Sequence, residues 1–287
     1  MTRVAVVGAG AIGATVASWL IANPRLEVVL CTRTPFDILR VQTPGTLLES
    51  RPQLFTDPQT VSPADWVLVA TKTYDAEGAA RWLDELVIDR TLVAVLQNGV
   101  EHMARFPRVA PGQLVPVVVD IPAERSAPGE VCQRRNGSML VPATGPGASF
   151  VRLFEHSPID VRTTEDWLSA AWRKLALNCA GAVSALTMRP AEIANDPEVA
   201  KLMRAMVLEC VMVGRAEGAC LTDELADEVV EHYRQSPADS INSIHADRLA
   251  GRPTEADARN GVIARLGVRH GIDAPFNEMA DVILRAS

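Results

Sequence analysis

The chain has 287 residues, 48% of them hydrophobic and 22% charged, with a formal net charge of -7. That length is enough for one large domain or two ordinary ones, each with a real buried core. A net negative chain without a Lys/Arg cluster argues against nucleic-acid binding, which needs a basic face to neutralise phosphates.

The N-terminus needs care. Residues 4–22 carry no charge and follow Arg3, so they imitate a signal peptide or a membrane span. Gly8, Gly10 and Gly13 interrupt the run, with Thr15 and Ser18 beyond them, whereas a targeting segment is a smoother apolar block. The segment is therefore read as strand, turn and helix, with no membrane partner. Further strands are expected at residues 27–31, 66–70, 92–96 and 114–119, after a first one at 3–7. All are dense in Val and Leu with little alternation, as in parallel strands covered on both faces. Helices are expected at 12–22 and 75–86. This alternation predicts a Rossmann-type, doubly wound α/β domain.

From 131 to 161 the pattern loosens. Arg135-Asn136-Gly137 reads as a turn between two short strands, and Gly145-Pro146-Gly147 as a loop before a helix. The stretch is expected to form the edge of the sheet. Near Thr163 strand-like runs give way to helical ones, and Thr164 followed by Asp166 makes a helix start. Residues 198–217 are apolar on nearly all sides, so this helix is either the centre of a helical domain or a homodimer interface. More helices are expected at 223–233, 242–249, 256–270 and 277–284. The expected division is a dinucleotide-binding domain at 1–163 and an all-α domain at 164–287.

The five cysteines, Cys31, Cys132, Cys179, Cys210 and Cys220, contain no C-x-x-C pair, and an odd number does not close a disulfide framework. Reduced thiols in a cytoplasmic protein are the simple reading. The five histidines show no metal-ligand spacing, so no metal is expected. His245, beside Ser243, either lines a cleft or is structural or solvated. No serine sits in a G-x-S-x-G elbow, which argues against a hydrolase.

Gly8-Ala9-Gly10-Ala11-Ile12-Gly13 is a G-x-G-x-x-G that directly follows an apolar strand and opens a helix. Gly8 would allow the tight turn, Gly10 the approach of a pyrophosphate, and Gly13 close helix–strand packing. The helix N-terminus then offers N–H groups and partial positive charge to phosphates. The bland alternative is a glycine-rich turn without a ligand. The next strand ends in Cys31-Thr32-Arg33, with no carboxylate to take the ribose 2′-hydroxyl of NAD. Arg33 can pair with a 2′-phosphate instead, so NADP is the expected cofactor, although a solvated surface arginine would look the same.

Two more strands carry polar residues at their carboxyl ends, where open α/β sheets bind ligands. One run ends in Thr71-Lys72, the other in Gln97-Asn98-Gly99. Each has a plain reading as surface lysine or turn. In Trp172-Arg173-Lys174-Leu175-Ala176-Leu177-Asn178, Lys174 and Asn178 share one helix face amid apolar neighbours. A lysine there can donate a hydrogen bond, then a proton, to a reduced carbonyl, or it can be a surface residue with a buried stem.

Taken together, these segments resemble the ketopantoate reductase (2-dehydropantoate 2-reductase) family over nearly the whole chain. The resemblance runs through the G-x-G-x-x-G, Lys72, Gln97-Asn98-Gly99, and Arg173-Lys174-Leu175 with Asn178. It continues through Ser243 and Asp247, Gly251-Arg252-Pro253-Thr254-Glu255, Asn260-Gly261 and Gly271-Ile272-Asp273-Ala274-Pro275. It implies NADPH-dependent reduction of a small 2-keto acid, with the site in a cleft between the two domains. By resemblance Lys174 is the general acid, and Glu255 orients the lysine and the nicotinamide ribose. Asn98 touches substrate and cofactor, Asn178 and Ser243 hold the substrate's carboxylate or hydroxyl, and Lys72 contacts the cofactor.

The chain also departs from the family pattern. Where the family carries a further asparagine, four residues past Asn178, stands Ala182. Where it carries an Asn-Gly stands Met188-Arg189-Pro190-Ala191. Those positions help hold pantoate, so a different keto acid is compatible with the sequence, and Arg189 is either a substitute anion contact or surface. The alternatives are a related hydroxyacid dehydrogenase and a non-catalytic NADPH-binding sensor. Against the sensor stand Lys174, Asn178 and Glu255, because a sensor needs no acid beside a nicotinamide.

Overall fold

The computed structural model describes residues 1–286. The chain forms two compact units. One comprises Met1–Gln97 and Glu101–Trp167, and the other Asn98–Val100 and the residues from Leu168 on.

The first unit opens with β1 (Thr2–Val7), α1 (Ala11–Ile21) and β2 (Leu26–Cys31), followed by the short strands β3 (Leu39–Gln42), β4 (Leu47–Ser50) and β5 (Gln53–Phe55). Next come β6 (Trp66–Val69), α2 (Ala76–Leu86), β7 (Leu92–Val95) and the single-turn α3 (His102–Arg105). β8 (Leu114–Pro116), β9 (Val118–Asp120), β10 (Ala123–Ala127), β11 (Glu130–Gln133), β12 (Ser138–Pro142), α4 (Gly145–Leu153) and β13 (Asp160–Thr164) complete it. The main sheet has the order β5-β2-β1-β6-β7-β8 and is parallel throughout. β6 is buried at every position, β1 over its last four residues and β2 over its last three, as continuous apolar runs require.

The uncharged N-terminal run owes its character to double cover. Val4 and Val6 of β1, Ala14, Val16, Ala17 and Leu20 of α1, and Leu39, Val41 and Val131 of the smaller strands share one core. A helix packed against two sheets has little use for a polar face, so even Thr15 and Ser18 are buried. Thr15 turns its hydroxyl onto the Ala11 carbonyl at 2.8 Å, and Trp19 Nε1 donates to Gln133 across to β11 at 2.9 Å. On the other face of the main sheet, Trp82, Leu83 and Leu86 of α2 cover Ala5, Val7, Val67 and Val69.

Several expectations need correcting. Residues 114–119 are two strands in two sheets: Pro116 ends β8, since it offers no N–H to carry the ladder on, and β9 then pairs antiparallel with β12. Residues 131–161 are not an edge of the main sheet. β11 lies in a four-stranded sheet of order β10-β11-β3-β4, and β12 in a three-stranded sheet of order β13-β12-β9. The Arg135-Asn136-Gly137 turn therefore links different sheets. Gly145-Pro146-Gly147 is not a loop but the first turn of α4. Thr144 Oγ1 caps it by accepting from the Gly147 N–H at 3.1 Å, and proline suits that turn because its missing N–H would have no partner there.

The second unit is helical: α5 (Trp167–Ala180), α6 (Ala182–Thr187), α7 (Pro197–Ala216), α8 (Glu224–Gln235), α9 (Ser243–Leu249), α10 (Val262–His270) and α11 (Pro275–Ala286), with Trp167 itself counted in the first unit. A π-turn, Asp257–Gly261, leads into α10. Of the two readings of the apolar helix, the structure shows the helical core: Met206, Val207, Cys210, Val211 and Val213 of α7 are buried among Trp172, Cys179, Val230 and Ile263. Asp196 starts α7 by accepting from the Glu198 and Val199 N–H groups. No described helix is long and apolar enough to cross a membrane.

Candidate active site

The glycine turn is formed as its spacing requires. Gly8 has φ +100 and donates its N–H to the Cys31 carbonyl at 2.8 Å, which locks the turn to the end of β2. A Cβ on Gly13 would stand 1.8 Å from the Gly8 carbonyl oxygen, so only glycine lets α1 approach the strand. A Cβ on Gly10 would meet nothing within 4 Å, and Gly10 precedes α1 with no side chain capping the first turn. Ala9, Ala11 and Ile12 bring only apolar side chains. The first N–H groups of an eleven-residue helix thus face open space beside a bare backbone, which fits a pyrophosphate.

At the end of β2 the Cys31 side chain is buried, and burial pushes its thiol up to about 12, so it brings no charge. Arg33 is 82% exposed at its side chain and lies 3.4 Å from Asp75. An exposed pair of this kind is weak and leaves the guanidinium available to a phosphate. Lys72 lies three residues past β6, and Gln97 two residues past β7. The buried Gln97 amide donates to Thr71 Oγ1 at 3.0 Å and to the Lys72 carbonyl at 3.3 Å, tying the two strand ends together, while its Oε1 has no partner. His102 Nε2 meets the Gln97 carbonyl at 2.9 Å and the ring stacks edge-on against Trp167. Burial, with Arg105 adding repulsion, holds His102 neutral, its pKa lowered to about 3.

In the helical unit, residues far apart in sequence converge. Asn98 Nδ2 donates to Glu255 Oε2 at 3.0 Å, and Asn178 Nδ2 donates to Asn98 Oδ1 at 3.4 Å. Glu255 is 4% exposed and Asn178 9%. The half-buried Lys174 stands one turn before Asn178 on α5. A buried network of this sort holds each amide in one orientation.

Ser243 is the first residue of α9, capped by Asn242, whose Oδ1 accepts from the His245 N–H. Its hydroxyl accepts from Arg259 Nη2 at 2.7 Å. Arg259 had no signal in the sequence, because nothing in Ala258-Arg259-Asn260 sets a buried arginine apart from a surface one. Asn242 also donates to the Gly181 carbonyl at 2.9 Å, and Tyr233 Oη donates to the Leu177 carbonyl at 3.0 Å, so both hold the end of α5. Asn260 Nδ2 bonds the Cys179 carbonyl at 3.2 Å and Asn277 Oδ1 at 2.9 Å. The π-turn is thereby fastened beside Asn178.

The departures from the family pattern have plain structural outcomes. Ala182 is fully buried at the start of α6 and offers no polar side-chain atom. Arg189 is half exposed and lies 3.7 Å from Glu192, a surface position. His245 is buried and neither ring nitrogen has a partner.

Residues 4–145 match the family described as ketopantoate reductase PanE/ApbA, and residues 166–286 its C-terminal counterpart. The chain belongs to the ketopantoate reductase family. A 2-dehydropantoate 2-reductase of Caulobacter vibrioides is 53% identical over 288 residues, covering 100% of this chain and 99% of the relative. One from Mycobacterium tuberculosis is 38% identical, covering 100% and 98%. The structure is similar to that of a PanE/ApbA family ketopantoate reductase from Ralstonia eutropha, with TM-score 0.90 and 30% identity over 99% of this chain and 97% of that one. A ketopantoate reductase fold thus underlies both the parallel-sheet unit and the helical unit.

Proposed function

We propose that this chain reduces a 2-keto acid to the 2-hydroxy acid with NADPH, with ketopantoate as the first substrate to try. The observation that carries this reading is the hydrogen-bonded run Asn178–Asn98–Glu255, one turn from Lys174. A keto-acid reductase needs such a set: amides to fix a small polar substrate, and an ammonium for the oxygen that gains charge.

When bound, the nicotinamide supplies the hydride. Gly8, Gly10 and Gly13 shape the turn that receives the pyrophosphate, and Arg33 and Lys72 offer positive charge to the phosphates. Lys174 donates a hydrogen bond to the ketone oxygen and then its proton to the developing alkoxide. Glu255 orients the lysine and the ribose, and it fixes the Asn98 amide by accepting its Nδ2–H. That leaves Asn98, Asn178 and Ser243 to set the substrate's orientation. The five thiols are free, which supports a reducing, cytoplasmic setting.

The test follows NADPH absorbance at 340 nm with purified protein, ketopantoate and a panel of other 2-keto acids. Rapid oxidation with ketopantoate is expected. Oxidation with another keto acid alone would move the substrate and leave the reaction class standing. Tight NADPH binding without any turnover would overturn the reductase reading.

A further inference from the structure

Arg259 is 3% exposed, yet its guanidinium has one bond, from Nη2 to Ser243 Oγ at 2.7 Å. Its Nε has no partner, and Arg259 makes no ion pair among the described residues. A guanidinium carries five donors and a permanent charge. Burying it against a neutral hydroxyl is unfavourable, and such cations are normally paired. The arrangement is stabilised when an anion arrives.

Three ties place this cation at the end of α5 that bears Asn178. Asn260, its chain neighbour, bonds the Cys179 carbonyl. Ser243, its bonded partner, follows Asn242, which bonds the Gly181 carbonyl. Tyr233, held to the Leu177 carbonyl, feels the positive charge of Arg259, which opposes the rise in its hydroxyl pKa caused by burial. Ser243, the partner of this buried cation, is itself an exposed residue. Ala182, next in the chain to Gly181, contributes no polar side-chain group.

We propose that Arg259, with Ser243, binds the carboxylate of the 2-keto acid and so sets the enzyme's preference for acids over neutral ketones. The planar fork can give two parallel N–H bonds to a carboxylate while the serine hydroxyl gives a third. The inference rests on the reductase reading above and names a contact which that reading does not contain.

The experiment compares ketopantoate with its neutral methyl ester as substrates of the full chain and of Arg259→Gln, at saturating NADPH. The variant's KM for ketopantoate is expected to rise roughly 10- to 100-fold, the loss of a charge-assisted pair. The KM for the ester is expected to change far less, so the preference for acid over ester collapses. An unchanged KM for the acid, or equal losses for acid and ester, would overturn the role of Arg259 while the wild-type turnover left the reductase reading intact. No wild-type turnover of any 2-keto acid would overturn both. If Arg259→Gln does not fold, Arg259→Lys decides by the same comparison: a rise confined to the acid supports the contact, and equal or absent changes reject it.

Discussion

Lys174 and Asn178 illustrate what a single residue can reveal by position. Their four-residue spacing puts them on one face of α5, and the helix forms where that spacing requires it. If Lys174 is the acid, Lys174→Ala should lower kcat on the order of 100- to 10,000-fold, the usual range for a lost general acid. NADPH binding, followed by fluorescence titration, should stay close to wild type, because the glycine turn is untouched. Unaltered turnover would remove the lysine from that role. Arg259 is the contrasting case. Its chemistry depends on a serine sixteen positions earlier and on a π-turn, and no local pattern announces either.

At the scale of elements, Glu209 shows how a buried charge is made tolerable. It sits on α7, and its carboxylate accepts from the Phe276 and Asn277 N–H groups at 3.0 Å each and from Asn277 Nδ2 at 2.7 Å. It thereby supplies the cap that α11 lacks in its own sequence, where helix N-terminal N–H groups and partial positive charge favour a carboxylate. Glu209→Ala would leave those donors buried without a partner and should destabilise the helical unit by roughly 2–4 kcal/mol. Urea unfolding followed by far-UV circular dichroism would measure it, and a loss within experimental error would show that water satisfies the cap. Five of the six strands of the parallel sheet were legible because continuous apolar runs mark double burial, whereas β5, three residues long and not buried, carries no such run. The four- and three-stranded sheets were not: two short strands, β11 and β12, are signalled by the turn between them, but β3 and β4 are short and partly exposed, and β3 pairs with β11 ninety positions away. Pairing over such distances leaves no trace in a local window.

For the whole molecule, pH offers a test of the sheet unit. His102 titrates near 6.5 when unfolded and near 3 when folded. The unfolded chain therefore takes up a proton that the folded one refuses. The stability this histidine contributes is complete above pH 6.5 and falls as pH drops from 6.5 towards 3. His102→Gln should flatten the dependence of the urea midpoint on pH across that window, followed by tryptophan fluorescence, since Trp19, Trp66, Trp82 and Trp167 all lie in this unit. An unchanged slope would mean that the ring is hydrated.

What the amino-acid sequence determined by itself was whatever is contiguous: the strand–glycine turn–helix, the absence of a carboxylate after β2, the helical face of Lys174 and Asn178, and the change from sheet to helix. Backbone sterics and side-chain periodicity act over a few residues, so these features are written locally. Only the tertiary structure decided that α1 is enclosed by two sheets, that Asn98 joins Asn178 and Glu255, and that Arg259 is buried without a carboxylate. Burial and hydrogen-bond partnership depend on which distant segments meet, and that is settled by packing the whole chain.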